Sequence, residues 1–289
     1  IAFYLAQIPE PDLPMIENNA ELVGEARNVL RSEMRRMPAK ERLYNELKAR
    51  ANARYAPLTV GRILNNADAD IIAGSTAVPG AFTREAWDNY LRNAIVEASK
   101  GELKGDDWVL AVAISEFATK DDAADRNRSE LEALYRAEYA QEWKNFLQGL
   151  AVHEMGDLAK AATALGRMGD AANSPMKRIL QRAAFETAWD NPTELSKKIE
   201  SAKTNVVAKA EQLIRNNYPT APAPAVGAKQ YGEVGAQFAL LSNLAGAPNA
   251  RAPMDSYLDF LIKIKTKLGT IAASAEPGAN ARQLMQATL

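Results

Sequence analysis

The stretch from Arg128 to Val152 admits one regular structure. Leu131, Tyr135, Tyr139, Trp143, Phe146 and Leu150 recur there at steps of three and four residues. Only an α-helix brings such a set to one face; a strand of that length would be far outside the usual range, and the step from Trp143 to Phe146 would change its face. A helix with so wide an aromatic stripe must bury it against other elements, so the rest of the chain has to supply a second layer. The same three rings, Tyr135, Tyr139 and Trp143, could instead form a platform on which sugars or bases stack, but i, i+4 spacing is the pattern of a core face.

Helical periods run through most of the remaining sequence. Leu22, Ala26, Val29, Leu30 and Met34 share a stripe, and Pro38 ends or restarts that helix. Leu43, Leu47, Ala51 and Tyr55 follow at i, i+4 spacing. Residues 57–82 differ: β-branched residues, Gly61, Gly74 and Asn65-Asn66 predict two or three short strands or an irregular insertion. A helix is expected over 84–99. The apolar run at 108–112, with Trp108 at its head, is a buried segment of undecided type. The charged stretch KDDAADRNR at 120–128 is the candidate boundary. Beyond it come a helix near 155–168, one opened by Ser174 as N-cap with Pro175 at the first helical position, and one opened by Asn191-Pro192 with Glu194 and running to about Asn216. Residues 216–231, rich in proline and small residues, read as an extended loop. Then Val234, Phe238, Leu241 and Leu244 fall on one helix, Tyr257, Phe260, Leu261, Ile264 and Leu268 on another, and a short helix starts near Ala279. No repeat period appears. The expected fold is mainly α: a helical subdomain at 1–125 with a small irregular or β insertion near 57–82, followed by an extended antiparallel helical bundle at 126–289.

The totals exclude several function classes. With 35 basic and 36 acidic side chains, the net charge of −1 argues against a nucleic-acid binder or a polybasic membrane-surface module. The absence of cysteine removes disulfides, thiolate nucleophiles and cysteine zinc sites. The opening IAFYLAQI is too short to span a bilayer and has no basic flank. Since the sequence begins without methionine, it reads as an excised or processed piece.

Catalytic templates fail in turn. Phosphate-loop, dinucleotide and nucleophile-elbow signatures are absent. His153 is the sole histidine, so a two-histidine zinc site is impossible; its expected role is that of a helix-end residue facing the carbonyl dipole. Ser174-Pro175-Met176-Lys177 matches S-x-x-K without its partner motifs, and the same residues make an N-cap with proline in its preferred place. Asp68 with Asp70, and Asp121, Asp122 and Asp125, hold carboxylates that could take a cation, but without EF-hand spacing they read as solvated loop acids. No catalytic residue, cofactor or metal ligand is predicted.

Residues 77–91, AVPGAFTREAWDNYL, gather turn and helix-start signals. Pro79-Gly80 fits the centre of a type II turn, with glycine supplying a positive φ. Thr83 suits an N-cap, and Phe82 and Trp87 fall at the two positions of a hydrophobic staple.

The block Val78-Pro79-Gly80-Ala81-Phe82-Thr83-Arg84 resembles a V-P-G-hydrophobic-F-T-R block of the IcmF-related family of type VI secretion, also called TssM. Asp107-Trp108-Val109-Leu110, Leu134-Tyr135 through Tyr139 and Trp143 to Phe146-Leu147, Asn173-Ser174-Pro175-Met176, and Phe238, Leu241, Tyr257 and Leu258 resemble further family segments in the same order, over roughly residues 20–289. Ala81 departs from the larger hydrophobe usual at its position. The resemblance implies a non-catalytic periplasmic part of an inner-membrane protein, a scaffold linking inner- and outer-membrane components for effector delivery. It implies partnership with a TssL-type inner-membrane protein, self-association, and contact with a TssJ-type outer-membrane lipoprotein through a C-terminal β-rich domain that this sequence does not show. The other readings are a helical periplasmic hydrolase acting on peptidoglycan and a helical module that binds a small molecule or peptide. The proline-rich loop reads first as a linker with no partner; the alternative is a contact surface in which Tyr218 and Tyr231 meet a partner.

Overall fold

The computed structural model describes residues 19–34, 38–102, 124–192, 231–246 and 252–288. They are mainly helical with one small antiparallel sheet, as the periodicities predict. Trp108, Tyr218, the 108–112 run, Asp121 and Asp122, the helix running on from Asn191-Pro192, and nearly all of loop 216–231 lie outside the described residues.

Helix α1 (Ala20–Met34) starts at Asn19, whose side-chain oxygen accepts from the Glu21 and Leu22 amides. Its predicted stripe is not buried, because Leu22, Ala26 and Val29 are exposed. Helix α2 (Ala39–Arg54) does bury the predicted Leu43, Leu47 and Ala51, together with Tyr44.

Residues 57–82 hold less strand than expected. They form the short helix α3 (Val60–Leu64), capped by Thr59, an isolated bridge between Leu58 and Val78, and the single strand β1 (Ile72–Gly74). The partner of β1 comes from far along the chain: β2 (Leu150–Val152) pairs with it in antiparallel register, Ile72 opposite Val152. Those residues were expected to continue the aromatic helix. Gly149 ends it instead: its carbonyl accepts from the Ser75 amide, and a Cβ there would lie 2.5 Å from Thr76 Oγ1.

The helix expected over 84–99 is continuous but widened: α4 (Arg84–Ala86), a π-helical turn over Trp87–Leu91, then α5 (Arg92–Ser99). The long helix α6 (Ala124–Gln148) lies against α5 with its aromatic face inward. Helix α7 (Leu158–Met168) is capped by Asp157 and α8 (Pro175–Thr187) by Ser174. The single helix expected around Val234 to Leu244 is two, α9 (Glu233–Gln237) and α10 (Ala239–Ala245). They are separated at Phe238, whose backbone leaves helical angles while its ring is buried. Helix α11 (Pro253–Ala272) packs along α7, and α12 (Pro277–Thr288) packs on α11. The close α7–α11 approach uses Gly169, where a Cβ would be 2.9 Å from the Ile262 side chain. It turns Met254, Leu258 and Leu261 inward, so Tyr257 and Phe260, expected on the core face, are exposed.

One continuous buried cluster joins α2, residues 78–98, the aromatic face of α6, α8 with Trp189, and the inward faces of α9 and α11. It runs across the candidate boundary at residue 125.

Candidate functional site

The densest set of buried polar contacts lies where the block at 78–87 meets α6 and the end of α8. The bridge between Leu58 and Val78, closed by amide–carbonyl bonds of 2.8 and 2.9 Å, lays Pro79-Gly80 against the end of α2. There a Cβ on residue 80 would sit 1.8 Å from the Tyr55 carbonyl oxygen. The glycine is therefore required by contact, not by a positive φ: Gly80 has none, and Gly80–Phe82 form a 3-10 turn in place of the expected type II turn. Asn52 Oδ1 accepts from the Ala81 amide at 2.8 Å and fixes this turn on α2.

The turn leaves carbonyls facing the core, and α6 satisfies them. Tyr135 donates its phenol to the Ala81 carbonyl at 3.0 Å, and Trp143 donates its indole N–H to the Phe82 carbonyl at 3.0 Å. Tyr139, between them, donates to the Glu186 carbonyl at 2.8 Å. All three residues are fully buried, so the stripe is core and not a stacking platform. Burial holds the Tyr135 and Tyr139 phenols well above the usual tyrosine range, with Glu186 adding to the effect. Both act as neutral donors.

The two rings expected to form a staple meet through a third ring, Tyr135. Phe82 and Trp87 each stack on Tyr135, with centroids 5.7 and 5.0 Å away. Trp189, which sequence reasoning passed over, lies 4.3 Å from Trp87 and 5.6 Å from Tyr139. Its signal was present: a tryptophan just past an amphipathic helix is heavy enough to demand burial.

Thr83 caps α4 as predicted, accepting from the Ala86 amide. Glu186 adds a contact no spacing announced: its carboxylate accepts from the Arg84 amide at 2.6 Å, 102 residues away in sequence. Arg182 pairs with the same carboxylate from one turn earlier on α8. Burial pushes the Glu186 carboxyl up, and the Arg84 amide and Arg182 oppose that shift. The Arg84 side chain lies over the Phe185 ring at 4.5 Å and donates to the Phe185 carbonyl, so this buried arginine is a structural clamp.

The remaining chemical candidates resolve into structural roles. Ser174 is fully buried and accepts from the Lys177 amide, while Lys177 Nζ donates to Asp255 Oδ1 at 2.7 Å. The amine of the S-x-x-K motif is thus held by a carboxylate on α11, and Pro175 opens α8 as expected. His153 does not face a helix end: α6 stops at Gln148, and His153 sits exposed beyond β2 with its amide donating to the Ile71 carbonyl. Asp68 and Asp70 lie in a turn, as expected, but only Asp70 is solvated; Asp68 is buried. They grip one guanidinium, Arg167 of α7, which bonds to Asp68 Oδ1 and to both oxygens of Asp70. Asp125 sits in the first turn of α6, where the helix dipole favours an acid. Among the described residues no cluster of acids and histidine could hold a metal ion. Tyr231 donates to Asn243 Oδ1 at 3.3 Å.

The Arg167 grip has a pH signature. Its hydrogen bonds hold the Asp70 carboxyl below the ordinary 3.8. A carboxylate lowered in the folded state contributes stability above its unfolded value and loses it as pH falls through the lower folded value. The Tm gap between the native chain and Arg167→Met is expected to be full at neutral pH and to close only below the ordinary carboxylate value. Melting curves across an acid series check this, and a gap unchanged in acid would contradict it.

A second clasp ties the later helices to this region. Asp190 accepts from the Val234 and Gly235 amides at 2.7 and 3.0 Å, and Asn191 Oδ1 from the Gly232 amide at 2.9 Å. Asp190→Ala is expected to raise amide exchange at Val234 and Gly235 more than tenfold, roughly the loss of one charge-assisted bond, while Ala81 and Trp87 amides stay protected. Hydrogen exchange by NMR reads this directly.

The features that converge here span the first two thirds of the chain, and a family model covers the same stretch. The description IcmF-related, intracellular multiplication and human macrophage-killing, matches residues 1–188. The chain belongs to the IcmF-related family. In this IcmF-related chain the matched region holds the joint from Asn52 to Glu186, and Trp189 lies just past its end. One solved chain of a type VI secretion system membrane core complex shares the fold, with a TM-score of 0.55 at 19% identity. The alignment covers 85% of this chain and 39% of that one, so this sequence corresponds to well under half of its structural relative. No curated protein matches the chain.

Proposed function

We propose that this chain is a non-catalytic scaffold segment of a type VI secretion membrane complex, in the periplasmic part of an inner-membrane protein. The observation that carries the reading is the state of the motif side chains. Tyr135, Tyr139, Trp143 and Arg84 are buried and donate to backbone carbonyls of other segments, and the buried Thr83 accepts from the Ala86 amide to cap its own helix. Residues so placed hold a shape and present nothing to a substrate. The likeness in fold to a membrane core complex chain supports the same reading. Among the described residues no helix is long and apolar enough to cross a membrane.

On this proposal the chain links a TssL-type inner-membrane protein to a TssJ-type outer-membrane lipoprotein and packs against copies of itself. The division at residue 125 belongs to the proposal as well, and expressing 1–125 and 126–289 separately tests it. The scaffold role is tested by site-specific photocrosslinking in cells from exposed positions such as Leu240 and Phe260. Crosslinks to secretion-complex proteins are expected. Cell-wall turnover by the purified chain that disappears on Ser174→Ala would replace this reading with the hydrolase one.

A further inference from the structure

A cleft of about 610 Å3 opens between α3 and α8. It is lined by Leu58, Arg62, Ile63, Arg178, Arg182 and Phe185, with Asn65 and Gln181 at its edge. Its lining carries three guanidinium groups and no carboxylate. Two of the three are positioned by the backbone. Arg62 Nη1 donates to the Ala56 and Pro57 carbonyls at 2.9 and 2.6 Å, and Arg178 Nη2 donates to the Ile63 carbonyl at 3.1 Å. Neither forms an ion pair among the described residues, in a chain whose charges are otherwise balanced. Arg182 is the exception, shared with Glu186. An arginine fixed through one nitrogen keeps the rest of its planar fork for a carboxylate, with its ordering cost already met by the fold. Beside these forks stands Phe185, an aromatic ring 51% exposed and held in place by the Arg84 cation over its face.

We propose that this cleft is a docking groove for an acidic peptide segment of a partner protein, one that places Asp or Glu side chains on Arg62 and Arg178 and an apolar side chain on Phe185. Charge complementarity supplies the argument: two guanidinium groups outside any ion pair among the described residues, beside an Arg182 already shared with Glu186 and with no acid in the lining, form a surface that favours an acidic segment and disfavours a basic one. The apolar lining of Leu58, Ile63 and Phe185 favours a peptide over a bare anion, which would leave that surface uncovered. The inference goes beyond the scaffold reading and does not depend on the compartment.

The test uses the full chain and a fluorescein-labelled synthetic peptide alternating Asp, Glu and Phe. The expected result is saturable binding that weakens steeply with salt, fails with the Asn/Gln version of the peptide, and drops about tenfold for Arg62→Gln or Arg178→Gln, the size of one charge-assisted pair. Because both arginines also tie down backbone carbonyls, Phe185→Ala provides a variant at an exposed side chain. It is expected to weaken binding with the circular-dichroism spectrum held and Tm lowered by no more than the lost Arg84 contact accounts for. Absence of peptide binding at millimolar concentration, binding unchanged in these variants, equal protection of the groove by inorganic phosphate, or preferential binding to phosphatidylglycerol vesicles would each overturn the proposal.

Discussion

Trp143→Ala is expected to cost about 5 kcal/mol of folding stability, enough to leave much of the chain unfolded at 37 °C. Two losses add. Removing a fully buried indole leaves a cavity at the centre of the α6 face, a change that typically costs about 3–5 kcal/mol. It also leaves the Phe82 carbonyl without its indole donor, and a buried unpaired carbonyl costs a further ~1–3 kcal/mol. Trp143→Phe separates the two: much of the ring volume stays, the N–H goes, and the expected cost falls to about 2 kcal/mol. Denaturant midpoints for the pair decide the matter. Equal costs would mean that the ring volume kept in Trp143→Phe contributes nothing and that the lost N–H donor alone explains the tryptophan.

Gly80→Ala is the second large effect, about 3 kcal/mol, from adding one methyl group. The new Cβ would meet the Tyr55 carbonyl oxygen at 1.8 Å, and backbone cannot step aside as the end of a flexible side chain can. Relief requires pulling the 3-10 turn away from α2, which stretches the Asn52 bond to the Ala81 amide and shifts the carbonyls that Tyr135 and Trp143 reach. Gly269→Ala provides the contrast. Gly269 lies within α11 with open space around its would-be Cβ, so alanine there is expected to stabilise by about 0.5–1 kcal/mol through helix propensity. If both alanine variants shifted Tm the same way, the contact argument for Gly80 would fail.

Much of this fold was legible before any coordinates. The stripe from Leu131 to Phe146 fixed α6 and its buried face, because a side-chain period is a local property of the backbone. Thr83, Ser174 and Pro175 announced helix starts, because a cap is satisfied within three residues. The misreadings share a cause. Leu150 continued the helical period yet belongs to β2, since Gly149 breaks the helix and β1 offers a ladder in which Leu150 pairs with Gly74, 76 residues upstream. Asp68 looked like a solvated loop acid because its partner, Arg167, lies almost a hundred residues away. Gly80 was assigned to a turn type because a type II turn is a local reason for glycine, whereas the operative reason is the approach of α2.

The sequence by itself determined which segments are helices, which faces are apolar and where several helices begin, since each depends on residues within one turn of one another. Only the tertiary structure decided what the donors of the buried aromatic stripe do. Tyr135, Tyr139 and Trp143 reach carbonyls 54, 47 and 61 residues away. A buried polar group must find a partner, and which partner it finds is set by how the helices pack, not by spacing along the chain.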